Sequence, residues 1–233
     1  MCTVTFLPKG TQSYILTSNR DEAPSRAADH PTMYERHGHQ LYFPKDPLAG
    51  GTWIVTDKER FTLCLLNGAF EAHKRSPPYR LSRGQMVLEF FKYADVDRFL
   101  AEYDFSGIEP FTLVMVDADR ETELTELVWD GAEAYVRELD PHEPHIWSSA
   151  TLYPKEIAEQ RAGWFKQWLT DHEAYDQQEI INFHKRGGQG DLWNDFVMKR
   201  GDNLQTVSIT SIQKNGDYQM TYEDLLNESV SES

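Results

Sequence analysis

The chain is poor in cysteine: Cys2 and Cys64 are its only two. Two cysteines cannot staple a small scaffold, so the fold has to rest on a hydrophobic core. Long apolar runs are missing too. No stretch approaches the ~20 consecutive apolar residues of a membrane-spanning helix, and no membrane span is expected. The opening residues lack the basic start and apolar stretch of a secretory leader, which places the protein in the cytoplasm as an expectation. Basic charge is scarce: 23 Lys and Arg stand against 38 Asp and Glu, a formal net charge of −15. Phosphate backbones and anionic lipid surfaces attract proteins with a positive footprint, so nucleic acid is not an expected partner. No Lys-Ser/Thr pair follows Gly187-Gly188-Gln189-Gly190, which sets that glycine run apart from a P-loop. His37-Gly38-His39 has no matching set of carboxylates or cysteines, so it reads as a solvated loop and no metal is expected. Internal repeats and low-complexity linkers are absent.

What is present suits one sizeable core. Of 233 residues, 39% are hydrophobic and 12% aromatic, within the range of globular domains. Residues 1–225 read as a single domain and 226–233 as a polar, disordered tail. Strand-like runs of β-branched and aromatic residues recur at 1–7, 14–18, 61–66, 111–116, 124–129 and 134–136. Residues 204–212 and 217–222 flank Asn215-Gly216, a strong hairpin turn signal. Helical spacing appears over 83–91 behind a capping Ser82, over 96–103, and over 177–184. Residues 155–173 carry the clearest stripe: Ile157, Ala158, Arg161, Trp164, Phe165, Trp168 and Leu169. Residues 23–50, with Pro24, Pro31, Pro44 and Pro47, read as one long irregular loop. Phe61–Leu66 is nearly all apolar, so Cys64 reads as a buried core thiol.

The start of the chain carries the chemistry. A small residue at position two lets the initiator methionine be trimmed, which would leave Cys2 at the amino terminus. Such a cysteine joins a nucleophile and a base in one residue, because an α-amine titrates near ~7.7–8.0. A nearby arginine favours the reactive thiolate. The two leading strands, with a turn at Pro8–Gln12, return Asn19-Arg20-Asp21-Glu22 towards Cys2. Pairing Leu7 with Ser13 sets Cys2 opposite Ser18, with Arg20 and Asp21 in side-chain reach. A slip of one residue would turn these side chains to the other face. Gly50-Gly51-Thr52-Trp53 reads as a glycine turn, tight or closely approached by a ligand. Asn67 ends the Phe61–Leu66 run. Its amide is either an oxyanion donor or simply part of an Asn-Gly turn.

Met1–Val4, Asn19–Glu22 and Gly50–Trp53 together resemble the NRDE family, also called the transport-and-Golgi-organisation family. The resemblance runs from residue 1 to about residue 225 and is strongest in the first seventy residues. Members resemble N-terminal-nucleophile hydrolases and, more distantly, the penicillin V acylase and bile-salt hydrolase group. The resemblance implies an α+β, four-layer αββα fold with two stacked, mainly antiparallel sheets. It also implies a cysteine amidohydrolase acting on a linear C–N amide of a small molecule. Cys2, Arg20, Asp21 and Asn67 would then be catalytic, with Asn19, Trp53 and Ser149 at the substrate. Where the family usually has Ser-Asn and Gly-Thr-Arg, this chain has Ser148-Ser149 and Gly201-Asp202-Asn203. A second implied reading is a non-enzymatic carrier of haem or of lipid and acyl-CoA; apart from haem under that reading, no cofactor is expected.

Overall fold

A computed structural model describes residues 3–233. The first part of the chain gives β1 (Thr3–Gly10), β2 (Ser13–Glu22), β3 (Asp29–Arg36), β4 (His39–Lys45), β5 (Ile54–Thr56) and β6 (Phe61–Asn67). Two short helices come next, α1 (Arg83–Glu89) and α2 (Val96–Glu102). The middle holds β7 (Phe111–Asp117), β8 (Glu123–Trp129), β9 (Ala134–Leu139) and β10 (His145–Ser148). Then come α3 (Lys155–Asp171) and α4 (Gln177–Arg186). The chain closes with β11 (Lys199–Arg200), β12 (Leu204–Asn215), β13 (Asp217–Asp224) and β14 (Ser229–Glu232). The fold is α+β, with two mainly antiparallel sheets and attendant helices, as the sequence led us to expect.

The chain divides into two compact units, one built from residues up to Ala27 with His142–Ser233, the other from Ala28–Pro141. The first holds a seven-stranded sheet in the order β10-β1-β2-β12-β13-β14, with β11 beside β12. Its first two strands in sequence, β1 and β2, are joined by a two-residue turn at Thr11-Gln12 with a bulge between Pro8 and Gly10. Leu7 pairs with Ile15 and Thr3 with Asn19, so the expected Leu7–Ser13 register is wrong by two residues. The strands run further into the turn than a five-residue loop would allow. A shift of two keeps every side chain on its expected face.

Helices α3 and α4 cover one face of this sheet. Leu7 and Ile15 from the strands meet Phe165, Trp168, Ile180, Phe183 and Phe196 in one buried cluster. Each such side chain contributes about 1.5–3 kcal/mol relative to exposure. The entry to α4 is fixed by a capping box: Glu179 N donates to Asp176 Oδ1 at 2.8 Å and Asp176 N donates to Glu179 Oε2 at 2.7 Å.

The second unit is a seven-stranded meander in sequence order from β3 to β9. Every side chain of β7, and all of β6 except Asn67, is buried, so both faces of these strands are shielded from water. Cys64 lies among them at 0% exposure. Helix α1 is capped by Ser82, whose Oγ accepts from Gln85 N. Its start packs against Gly51, where a Cβ would come within 2.2 Å of the Gly84 carbonyl carbon. The close approach of this helix therefore requires glycine at 51.

Two expectations fail here. The stretch from 23 to 50 is not one irregular loop, because it contains the β3–β4 hairpin, turning at His37 (φ 52°) and Gly38 (φ 83°). β3 is the edge of its sheet, and Pro31 falls at its bulge between Asp29 and Thr32, where no ladder bond is lost. Residues 226–233 are not wholly without structure, since β14 pairs with β13 from Thr221↔Glu232 to Asp224↔Ser229.

Candidate active site

Strand alternation decides what the first unit can offer. Thr3, Thr5 and Leu7 on β1 lie across from Asn19, Thr17 and Ile15 on β2, and this row faces α3 and α4. Val4 and Phe6 lie on the other face with Ser18 and Leu16. By the same alternation Asn19 and Asp21 point to the helix face and Arg20 to the opposite one. Cys2 lies outside the described residues, and so do its expected place opposite Ser18 and its reach to Arg20 and Asp21. Ser18 itself lies across from Val4.

Asp21 is buried, and each of its carboxylate oxygens accepts a hydroxyl. Thr206 Oγ1 donates to Oδ1 at 2.6 Å and Tyr153 Oη donates to Oδ2 at 2.9 Å. Thr206 can do so because β12 bulges between Thr206 and Ser208, which sets Thr206 across from Asp21. Arg20, across from Ser208 and also buried, donates from Nη1 to the Arg26 carbonyl at 2.7 Å. It lies near Tyr222, whose phenol burial pushes up in pKa and the Arg20 charge draws partly back.

Asn19 is a structural hub. Its Nδ2 donates to the Phe196 carbonyl at 2.7 Å and to the His184 carbonyl at 3.3 Å, so its Oδ1 is the acceptor facing His184. His184 Nδ1 therefore carries the proton it shares with Asn19 Oδ1 at 2.5 Å, and Nε2 accepts from Thr5 Oγ1 at 2.8 Å. Complete burial, and then the nearby Arg161 charge, push the His184 pKa down to about 3. This network holds β1, β2 and α4 together. It occupies the Asn19 amide that the sequence had assigned to substrate.

Ser149 follows β10 and is buried. Its hydroxyl lies 2.9 Å from Thr151 Oγ1, and its carbonyl accepts from Leu152 N and Tyr153 N in the turn that leads into α3. That turn is what delivers Tyr153 to Asp21.

Asn67 and Trp53 belong to the second unit. Asn67 ends β6 across from Phe111, and Gly68 follows at φ 87°, a conformation that favours glycine. Gly68 N donates to the Pro110 carbonyl and Thr112 Oγ1 donates back to the Gly68 carbonyl. Asn67 is thus the last residue of β6, and Gly68 carries the contact with the β7 side one step further. Trp53 is buried, and its carbonyl accepts from Leu65 N at 2.8 Å. His37 Nε2 lies 3.7 Å from Glu89 Oε1, and no group of three or more His, Cys, Asp or Glu able to hold a metal occurs among the described residues. No helix among them is long and apolar enough to cross a membrane.

Sequence reasoning did not anticipate Tyr153, Thr206, His184 or Arg161 as partners of this region. Arg161 had left a signal as a charge set into the apolar stripe of a helix, and Tyr153 and Thr206 lie in weaker stretches of the family resemblance, Tyr153-Pro154-Lys155 and Gln205-Thr206-Val207.

Over residues 1–219 the sequence matches the family model described as Transport and Golgi organisation 2. No curated protein matches the chain. Among solved structures, the arginine-to-leucine variant of conjugated bile acid hydrolase from Clostridium perfringens aligns with a TM-score of 0.62 at 9% identity, covering 100% of this chain and 92% of that one. Penicillin V acylase from Agrobacterium tumefaciens aligns with a TM-score of 0.60 at 11% identity, covering 100% and 85%. The Caenorhabditis elegans ortholog of N-acylethanolamine-hydrolyzing acid amidase gives 0.53 at 11%, covering 91% and 92%. At such identities the likeness shows the fold, which is N-terminal-nucleophile hydrolase-like.

Proposed function

This chain belongs to the Transport and Golgi organisation 2 family, and we propose on that premise that it hydrolyses a linear carbon–nitrogen amide, with Cys2 as nucleophile. The observation that carries the reading is the Asp21 carboxylate, fixed by Tyr153 and Thr206 at the end of the strand that pairs with β1. A buried carboxyl group fixed by two side-chain hydroxyls is costly to keep for architecture alone. The three aligned structures give support, since the names they carry are those of a hydrolase, an acylase and an amidase.

In this reading the thiol of Cys2, freed by removal of Met1, attacks the amide carbonyl carbon. Its own α-amine takes the thiol proton and delivers it to the leaving nitrogen, so that the C–N bond breaks and a thioester remains. Water, deprotonated by the same amine, then releases the acid and restores the thiol. Arg20 favours the thiolate, Asp21 orders the strand end, and Ser149 borders the substrate. The reaction suits a reducing compartment such as the cytoplasm.

Intact mass tells whether Met1 has been removed. Release of amine is then followed over a panel of acyl amides, for the native chain and for Cys2→Ala. Turnover that disappears in Cys2→Ala supports the reading. A Met1-free chain that cleaves no amide in the panel refutes it.

A further inference from the structure

Arg161 is the largest side chain that is wholly buried, and it lies on the apolar stripe of α3. An apolar residue there would avoid the cost of taking a guanidinium out of water. Its partners explain why arginine stands there. Nη1 donates to Thr3 Oγ1, Nε to the Asn194 carbonyl at 3.0 Å, and Nη2 to the Asp195 carbonyl at 2.5 Å. Its carbon centre lies 3.6 Å from the centroid of the Tyr153 ring. Two of these contacts lead to the candidate site by separate routes. Thr3 is the covalent neighbour of Cys2. Tyr153 donates its hydroxyl to Asp21 Oδ2. The two carbonyls anchor the arginine to the loop after α4, so the clamp has a fixed base.

We propose that Arg161 is a positioning residue for the nucleophile: it fixes the strand that begins at Thr3 and, through the Tyr153 ring, the carboxylate of Asp21. The proposal rests on the reading of Cys2 as the nucleophile. Only arginine has the planar fork that can reach a hydroxyl and two carbonyls while stacking on a ring. Lysine keeps the charge but loses the planar fork and its stack on the ring.

The test uses full-length, Met1-free protein and four variants: Arg161→Met, Arg161→Lys, Thr3→Val and Tyr153→Phe. Iodoacetamide alkylation of Cys2 is followed against pH by peptide mass, with amide turnover measured alongside. A cooperative urea transition followed by tryptophan fluorescence reports that each variant is folded, since Trp147, Trp164, Trp168 and Trp193 all lie in the same unit as the substitutions. In Arg161→Met the pH midpoint of alkylation moves and kcat falls roughly tenfold to hundredfold with KM little changed, the size expected for a misplaced reacting group. Arg161→Lys recovers part of this. Thr3→Val and Tyr153→Phe each reproduce part of it. A folded Arg161→Met with the native alkylation profile and turnover overturns the proposal. If that variant does not fold, native behaviour in both Thr3→Val and Tyr153→Phe overturns it instead. Should the native chain cleave no amide while alkylation still depends on residue 161, the hydrolase reading falls and the positioning role stands.

Discussion

His184 makes the fold sensitive to acid in a way that can be calculated. In the folded chain its pKa is pushed down to about 3, because burial, and secondarily the Arg161 charge, disfavour the imidazolium. In the unfolded chain it returns to about 6.5. Between these values the unfolded state binds more protons than the folded one, so stability falls as pH drops below about 6.5 and is unaffected above it. At pH 5 the unfolded imidazole is protonated about thirty to one, and the loss of stability is about 2 kcal/mol. At pH 4 it is about 3 kcal/mol. For a chain of this size 2 kcal/mol corresponds to roughly 4–8 °C in Tm. The assay is urea unfolding of the native chain and His184→Gln at pH 7.5, 6 and 5. Taking the difference between the two chains cancels the other titrating groups. At pH 7.5 the variant is less stable by about 1–3 kcal/mol, since the links to Asn19 and Thr5 are broken. Towards pH 5 the gap narrows by about 2 kcal/mol, because the variant has no site to protonate. A gap that stays constant across these pH values refutes the reasoning and means that the imidazole is not held neutral.

Three further outcomes are expected. Gly51→Ala places a Cβ 2.2 Å from the Gly84 carbonyl carbon, which costs about 3 kcal/mol or more; Gly84→Ala, at 2.8 Å from the Thr52 carbonyl oxygen, is milder, and thermal unfolding orders the two. Asp21→Asn leaves one of the Tyr153 and Thr206 hydroxyls facing an amide donor, which lowers stability by about 1–2 kcal/mol in urea titration and abolishes turnover under the proposed mechanism. A thiol-counting reagent finds one accessible thiol in the native, Met1-free chain and two in denaturant, since Cys64 is buried; two fast thiols in the native protein contradict the packing of β6, and none contradicts an accessible nucleophile.

The elements legible in the sequence are those whose signal is local. Asn215-Gly216 marks the turn between β12 and β13, and Gly216 sits at φ 77° as such a turn demands. The apolar run 61–66 gives β6, and Ser82 caps α1. Arguing from prolines to a loop over 23–50 fails because Pro31 sits at a bulge in an edge strand, where a missing N–H costs no ladder bond. The site is less legible than the fold. Tyr153 and Thr206 reach Asp21 from positions 132 and 185 residues away in sequence, and the bulge that aims Thr206 has no composition of its own. His184 reads in sequence as one more residue of a helix. Its meaning depends on Asn19 and Thr5, on the strands that this helix packs against.

The quartet Asn19-Arg20-Asp21-Glu22 reads in sequence as one cluster of acid and base, but a strand has two sides. Asn19 and Asp21 share the face on which α3 and α4 pack, and both are spent on partners there: His184 and Phe196 for one, Tyr153 and Thr206 for the other. Arg20 turns the other way, across from Ser208 and near Tyr222. A mechanism in which guanidinium and carboxylate grip the same atom from the same side is therefore excluded by the alternation of β2. The roles must divide. The odd positions lock the strand to its helices and fix where its backbone lies, and the even position presents the charge. That division explains why Arg161 and Tyr153, remote in sequence, belong with the quartet: they secure the helix-side face of the strands, which under the proposed mechanism carries no reacting group.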